Sequence, residues 1–288
     1  MLIVHADVRT LSLQLEAQLP KLKRLQTFIA FDITIRPHLW QLTFYADVLS
    51  TLKLDRICTE NFNLAFPNLR AIRKLELEVN AHNKAQISSI LTKCSESKVS
   101  DLTVKSWGPK RHEFMDNLSS FIRHNAATLT DLSIDNMFLS VEEFADKFDR
   151  LRQLSLKDTN LSEAGLAAVI AKCAPTLLDL NLRVTDVRLS NIFVTDLPKI
   201  RFLVITGANI GCKTLQTLFQ HCFLSLEVLI LDAARLDEGC ALEPLTVCPR
   251  NLNILDLEPE IYSALSDVCH NKELRNVLEK RDDIYDTD

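Results

Sequence analysis

The chain has 288 residues, 47% of them hydrophobic, a formal net charge of −5, a pI near 5.8 and a mean hydropathy of +0.05. That length can bury one large core or two ordinary ones, and the near balance of charge leaves no bulk attraction to nucleic acid or to anionic lipid. No apolar run is long enough to span a membrane, and Met1 to Val4 followed by His5 and Asp7 is too short for a signal-peptide apolar region, so a soluble protein of the cytoplasm or nucleus is expected.

The first 48 residues carry a weak pattern, with expected strands at Val8/Leu11/Leu13 and Leu25/Phe28 and an expected helix from about His38 to Ala46. From Leu49 onward two stencils alternate. One has apolar residues at positions 1, 4 and 6, as in Leu151, Leu154 and Leu156 or Leu226, Leu229 and Leu231, and fits a short strand. The other repeats at i, i+3, i+4 and i+7 and fits one stripe of a helix. Its instances are Ile87/Ile90/Leu91/Cys94, Leu118/Phe121/Ile122/Asn125, Val141/Phe144/Ala145/Phe148, Leu166/Val169/Ile170/Cys173, Leu189/Ile192/Phe193/Asp196 and Leu215/Leu218/Phe219/Cys222.

Strand stencils begin at Leu49, Ile72, Val99, Leu129, Leu151, Leu177, Ile200, Leu226 and Leu252, at spacings of 23, 27, 30, 22, 26, 23, 26 and 26 residues. A strand and a helix at a near-constant period predict a solenoid, in which no unit buries its apolar face alone. The spacing lies in the range of leucine-rich repeats and passes slightly beyond it at 30. The expected fold is therefore an α/β leucine-rich-repeat solenoid, a curved horseshoe with parallel β-strands on the concave face and helices on the convex face. One continuous domain is expected, with degenerate N-terminal repeats or a cap over 1–48, repeats over 49–258, and a C-terminal cap with an acidic tail over 259–288.

Chemistry-bearing patterns are sparse. Among the eight cysteines, Cys94, Cys173, Cys222 and Cys248 recur at the end of the helix and are expected to be small buried apolar groups rather than bridges. Gly207-Ala-Asn-Ile-Gly-Cys-Lys-Thr214 brushes against the phosphate-loop pattern, but Cys212 stands where glycine must precede lysine, and only three residues separate its glycines. The seven histidines show no zinc spacing, and no carboxylate pair stands in an apolar setting that would raise a pKa for acid catalysis. No catalytic residue, metal or cofactor is expected. Lys21, Lys23 and Arg24 lie far from Lys110 and Arg111, and acidic residues alternate with the basic ones, so no phosphate-tracking stripe is expected either.

The segment from Leu154 to Leu180 resembles the cysteine-containing leucine-rich repeat of F-box substrate receptors. It shares the leucine strand, the turn Leu161-Ser-Glu-Ala-Gly-Leu166, the helix ending in Cys173 and the Leu-x-x-Leu strand four residues on. Similar units run from Leu203 to Leu229 and from Leu229 to Leu255, and the likeness covers roughly Leu49 to Leu257. The resemblance implies a module that presents a protein substrate to a cullin ubiquitin ligase. In that family an N-terminal helical F-box of about 45 residues holds the Skp-type adaptor, and the strand-like Val8–Leu13 leaves no room for one. A repeat-only relative or a piece of a longer product is expected, with cullin-ligase components as partners by resemblance only. A stand-alone scaffold or inhibitor, or a subunit of a larger assembly, remains the alternative.

A partner is expected on the concave sheet. If stencil positions 4 and 6 enter the core, positions 3, 5 and 7 face outward. These are polar through Asp179/Asn181/Arg183 and then become Phe202/Val204/Thr206, Val228/Ile230/Asp232 and Ile254/Asp256/Glu258. Phe202, Val204, Val228, Ile230 and Ile254 would form an apolar patch rimmed by Asp232, Asp256 and Glu258, suited to an apolar anchor with basic flanks. The competing arrangement has the segment with Ile261, Tyr262 and Leu265 folding over those strands. A second candidate epitope is Trp107 with Lys110 and Arg111, in a loop broken by Gly108 and Pro109 within the longest repeat.

Overall fold

The computed structural model describes residues 2–4, 24–31, 34–35, 48–55, 58–59, 69–107, 112–137, 139, 146–159, 162–184, 188–189, 197–221, 225–232, 235–236, 254–259, 261 and 263. The chain divides into two compact units, Met1–Leu139 and Ser140–Asp288.

Unit one contains strands β1 (Leu2–Val4), β2 (Thr27–Phe31), β3 (Thr34–Ile35), β4 (Thr51–Asp55), β5 (Cys58–Thr59), β6 (Lys74–Val79), β7 (Asp101–Ser106) and β8 (Asp131–Asp135). Its helices are α1 (Lys84–Lys93) and α2 (His112–Asn125). The main sheet runs in the order β1-β2-β4-β6-β7-β8, all pairs parallel, and β3 pairs with β5 beside it. Strand β1 lies where the sequence pattern shows nothing, while the expected strand at Val8–Leu13 and helix at His38–Ala46 fall outside the described residues.

Unit two contains β9 (Gln153–Lys157), β10 (Asp179–Arg183), β11 (Arg188–Leu189), β12 (Phe202–Thr206), β13 (Asn209–Ile210), β14 (Val228–Asp232), β15 (Arg235–Leu236) and β16 (Ile254–Leu257), with helices α3 (Glu163–Cys173) and α4 (Cys212–His221). The main sheet runs β9-β10-β12-β14-β16, again parallel throughout, and β11-β13-β15 form a second small ladder. The architecture in each unit is thus mixed α/β with parallel strands, and no described helix is long and apolar enough to cross a membrane.

The register follows from one device repeated along the chain. The carbonyl of the residue before a strand accepts two N–H groups from the start of the next strand at 2.8–3.1 Å. In unit one Gln26, Ser50, Arg73 and Ser100 act in this way, and in unit two Arg152, Leu178 and Arg201 do. Each strand therefore begins level with its neighbour, and stencil positions 4 and 6 enter the core together. Leu52 and Leu54, Leu75 and Leu77, Leu180 and Leu182, and Leu203 and Ile205 are all 2% exposed or less. Each such side chain, fully buried, contributes on the order of 1.5–3 kcal/mol before chain entropy is charged.

The helix stripes complete the cores. Ile87, Ile90, Leu91 and Cys94 are buried, as are Leu118, Phe121, Ile122 and Asn125, and Leu166, Val169, Ile170 and Cys173. Leu215 and Leu218 are buried, while the Phe219 side chain and Cys222 fall outside the described residues, as do Val141, Phe144 and Ala145 of another expected stripe. The Ser162 hydroxyl caps α3 by accepting the Gly165 N–H at 3.0 Å, worth about 1 kcal/mol.

Asn125 occupies the place that Cys94 and Cys173 hold in their repeats. There it accepts the Val99 N–H at 3.0 Å and donates to the Phe121 carbonyl at 3.1 Å. In all three repeats the N–H three residues on returns to this position's carbonyl, from Ser97, Thr128 and Thr176. The hydroxyls of Thr128 and Thr176 also reach the carbonyls of Val99 and Leu151, at 2.8 and 2.7 Å.

One expectation changes. Leu189, the first residue of an expected helix stripe, lies instead in β11. Extended backbone there lets the turns that leave successive main strands satisfy one another's amides, as when Gly211 N–H donates to the Leu189 carbonyl at 2.9 Å. Cys212, at the start of α4 and not among the four helix-end cysteines, is disulfide-bonded, while Cys94 and Cys173 are free and buried. The residue directly after a strand takes positive φ at Asn136 (56°), Asp158 (49°) and Gly207 (77°), the region that Asn, Asp and Gly tolerate best. At Gly207 a Cβ would also stand 3.0 Å from the Val184 carbonyl oxygen.

Replacing Asn125 with Ala strands the Val99 N–H in the core, and urea unfolding is expected to show a loss of about 2–3 kcal/mol.

Candidate functional site

Side chains that flank the buried pair in each strand project from the face opposite the core. In unit one this face is charged. In-register rows run Thr51–Lys74–Asp101–Asp131 and Lys53–Glu76–Thr103–Ser133. The Lys53 ammonium lies 2.6 Å from Glu76, and Lys74 bridges Glu76 at 3.0 Å and Asp101 at 2.7 Å. Partial burial pushes the Glu76 carboxyl up, but hydrogen bonds from Lys53 and Lys74 outweigh it and hold the group below the usual carboxylate range. The Asp101 hydrogen bond, against some desolvation, holds Lys74 above its ordinary value.

In unit two the same face changes character along the sheet. The rows are Gln153–Asp179–Phe202–Val228–Ile254, Ser155–Asn181–Val204–Ile230–Asp256 and Lys157–Arg183–Thr206–Asp232. Neighbouring parallel strands lie about 4.8 Å apart, so the structure brings Phe202, Val204, Val228, Ile230 and Ile254 onto three adjacent strands. Phe202 is 36% exposed, and Val204, Val228 and Ile230 are half-buried. The Ile254 side chain lies outside the described residues. Asp232 is exposed at the end of β14, while Asp256 and Glu258 are half-buried. Ile261 is buried, and Tyr262 and Leu265 fall outside the described residues.

The first of these apolar rows carries a neighbour that the stencil did not single out. Arg201, just before β12, grips Glu227, just before β14, in a two-pronged pair with Nε–Oε1 at 2.6 Å and Nη2–Oε2 at 2.7 Å. The hydrogen bonds hold Glu227 below and Arg201 above their ordinary values. The guanidinium carbon lies 5.5 Å from the Phe202 ring centroid, within cation–π range. The sequence signal exists: opposite charges stand at stencil position 2 of successive repeats.

Trp107 directly follows β7 and is 66% exposed, with its backbone N–H donated to the Val79 carbonyl at 2.8 Å. Lys110 and Arg111 fall outside the described residues. Burial pushes the thiols of Cys94 and Cys173 up to about 12, which leaves them almost wholly protonated at neutral pH. No protein-family model matches the chain, and no curated protein sequence matches it.

Two outcomes follow from these charges and thiols. Because the folded Glu76 carboxyl ionises more readily than the unfolded one, its contribution is present above pH 4.5 and lost as pH falls through the folded value. Glu76→Gln should therefore unfold at lower urea than the wild type at pH 7, with the gap closing at pH 3. In native protein at pH 8, iodoacetamide followed by peptide mass mapping should leave Cys94 and Cys173 unmodified, and both should react fully once the chain is denatured.

Proposed function

We propose that this chain is a leucine-rich-repeat recognition protein of the kind found in F-box substrate receptors, acting without catalysis in the cytoplasm or nucleus. Its partner is a protein held on the outward face of β12, β14 and β16. The observation that carries this reading is the pair of in-register apolar rows on the face away from the core, with Phe202 36% exposed. The core needs none of these side chains, because Leu203, Leu229 and Leu231 already fill the inner face at 0% exposure. Apolar residues left on an outward face without a packing role are a feature of interaction sites. Asp232 at the end of β14 adds negative charge, so the fitting partner carries an apolar anchor flanked by basic residues.

Parallel strands at 22- to 30-residue spacing, with helix stripes between them, support the repeat class. The ubiquitin-ligase role rests on the likeness of Leu154–Leu180 to receptor repeats. Wild-type chain and Ile230→Asp should be compared by affinity capture from lysate and by thermal melting. A variant that melts within a few degrees of wild type but loses a captured protein supports the reading. A variant that unfolds places Ile230 in the packing and overturns it, and so does one that keeps every captured protein. Cullin-ligase subunits among the captured proteins separate a substrate receptor from a stand-alone scaffold.

A further inference from the structure

Unit one holds a second surface with a different chemistry. Beside Trp107 lies an open cleft. Its floor is apolar, with Val79, Phe114 and Met137 all 7% exposed or less, and its rim carries the half-buried Met115 and the 66% exposed Trp107 ring. Among the described residues that line it, Lys84 is the one charged group, and it makes no ion pair with another described residue. The cleft is thus apolar at its base and cationic at one edge.

Two further observations strengthen that edge. Lys84 opens α1, whose first turn contains no acidic residue, so the positive end of the helix dipole adds to the ammonium charge. Asn83, at the cap position, gives the helix no side-chain bond; its amide accepts the Asn80 N–H and donates to the Glu78 carbonyl, each at 2.9 Å. A positive edge on a chain of net charge −5 favours an anionic ligand.

We propose that this cleft binds an acidic peptide segment of a partner protein. An aromatic or long aliphatic side chain of the segment enters beside Trp107 and Met115, and a flanking carboxylate pairs with Lys84. The openness of the cleft favours a side chain carried on an extended peptide, since a small molecule needs most of its surface enclosed. Exposed Trp together with Met is the composition of surfaces that anchor peptide side chains. This site is independent of the apolar rows on β12, β14 and β16, and its partner has the opposite charge.

The test uses two fluorescein-labelled peptides, one with a central Phe flanked by Asp and Glu and one with those acids replaced by Lys, titrated against the full chain by anisotropy. Saturable binding of the acidic peptide alone is expected, weakened at least about tenfold by Trp107→Ala and by Lys84→Glu. Lys84→Glu places an anion at a helix N-terminus, so its melting temperature should hold or rise, and Lys84→Gln serves as a milder second variant. Ile230→Asp should leave the peptide affinity unchanged, which separates failure here from failure of the reading for unit two. The proposal is overturned if the acidic peptide does not bind, if both peptides bind equally, or if Trp107→Ala leaves the affinity unchanged. It is also overturned if sedimentation shows a dimer that Trp107→Ala dissolves, since the occupant is then a second copy of the chain.

Discussion

A single backbone carbonyl ahead of each strand, shared by two N–H groups of the following repeat, is the interaction on which the rest of each unit depends. Parallel strands have no hairpin turn to fix their alignment, and side chains alternate with a period of two, so a slip of one residue would send every leucine to solvent and every charge to the core. The paired bonds to Gln26, Ser50, Arg73 and Ser100, and to Arg152, Leu178 and Arg201, remove that freedom at the start of each strand. Once the starts are level, the 1, 4, 6 stencil is enough to build the core.

The outward face is then free of packing duty, and it has diverged within one chain. In unit one, Lys53, Glu76, Lys74 and Asp101 satisfy one another across strands, and such a surface offers little to an apolar ligand. In unit two the equivalent positions on β12 and β14 are Phe202, Val204, Val228 and Ile230, and the neighbouring Arg201–Glu227 fork sets a flat cation against the Phe202 ring. Identical backbone geometry thus supports a self-neutralised surface and an apolar one.

The parts of this structure that depend on burial were legible in the sequence. Leu151, Leu154 and Leu156 could be placed inward because only a strand spaces apolar groups in that way, and Ile87, Ile90 and Leu91 because only a helix does. What escaped depends on backbone bonding or on distant contacts. The strand Leu2–Val4 is too short to show a period, and Leu189 fits a helical stripe equally well until its carbonyl meets the Gly211 amide. Asn125 stood out as a stripe member, but its bond to the Val99 N–H, 26 residues away, is invisible without the fold. The outward apolar residues of β12 and β14 were readable from position alone, whereas Lys84 and Trp107 line one cleft only through the fold.

The longest repeat, from Val99 to Leu129, carries a helix of 14 residues against 10 in α1, yet β7 and β8 pair in the same register as their shorter neighbours in unit one. The alignment is set before the strand begins, so length added after the strand lies outside the ladder. A scaffold of this kind separates the part of each repeat that must stay fixed from the part that can grow. The sequence following β7 is accordingly a natural point for grafting foreign residues, which could be carried without disturbing the ladder behind them.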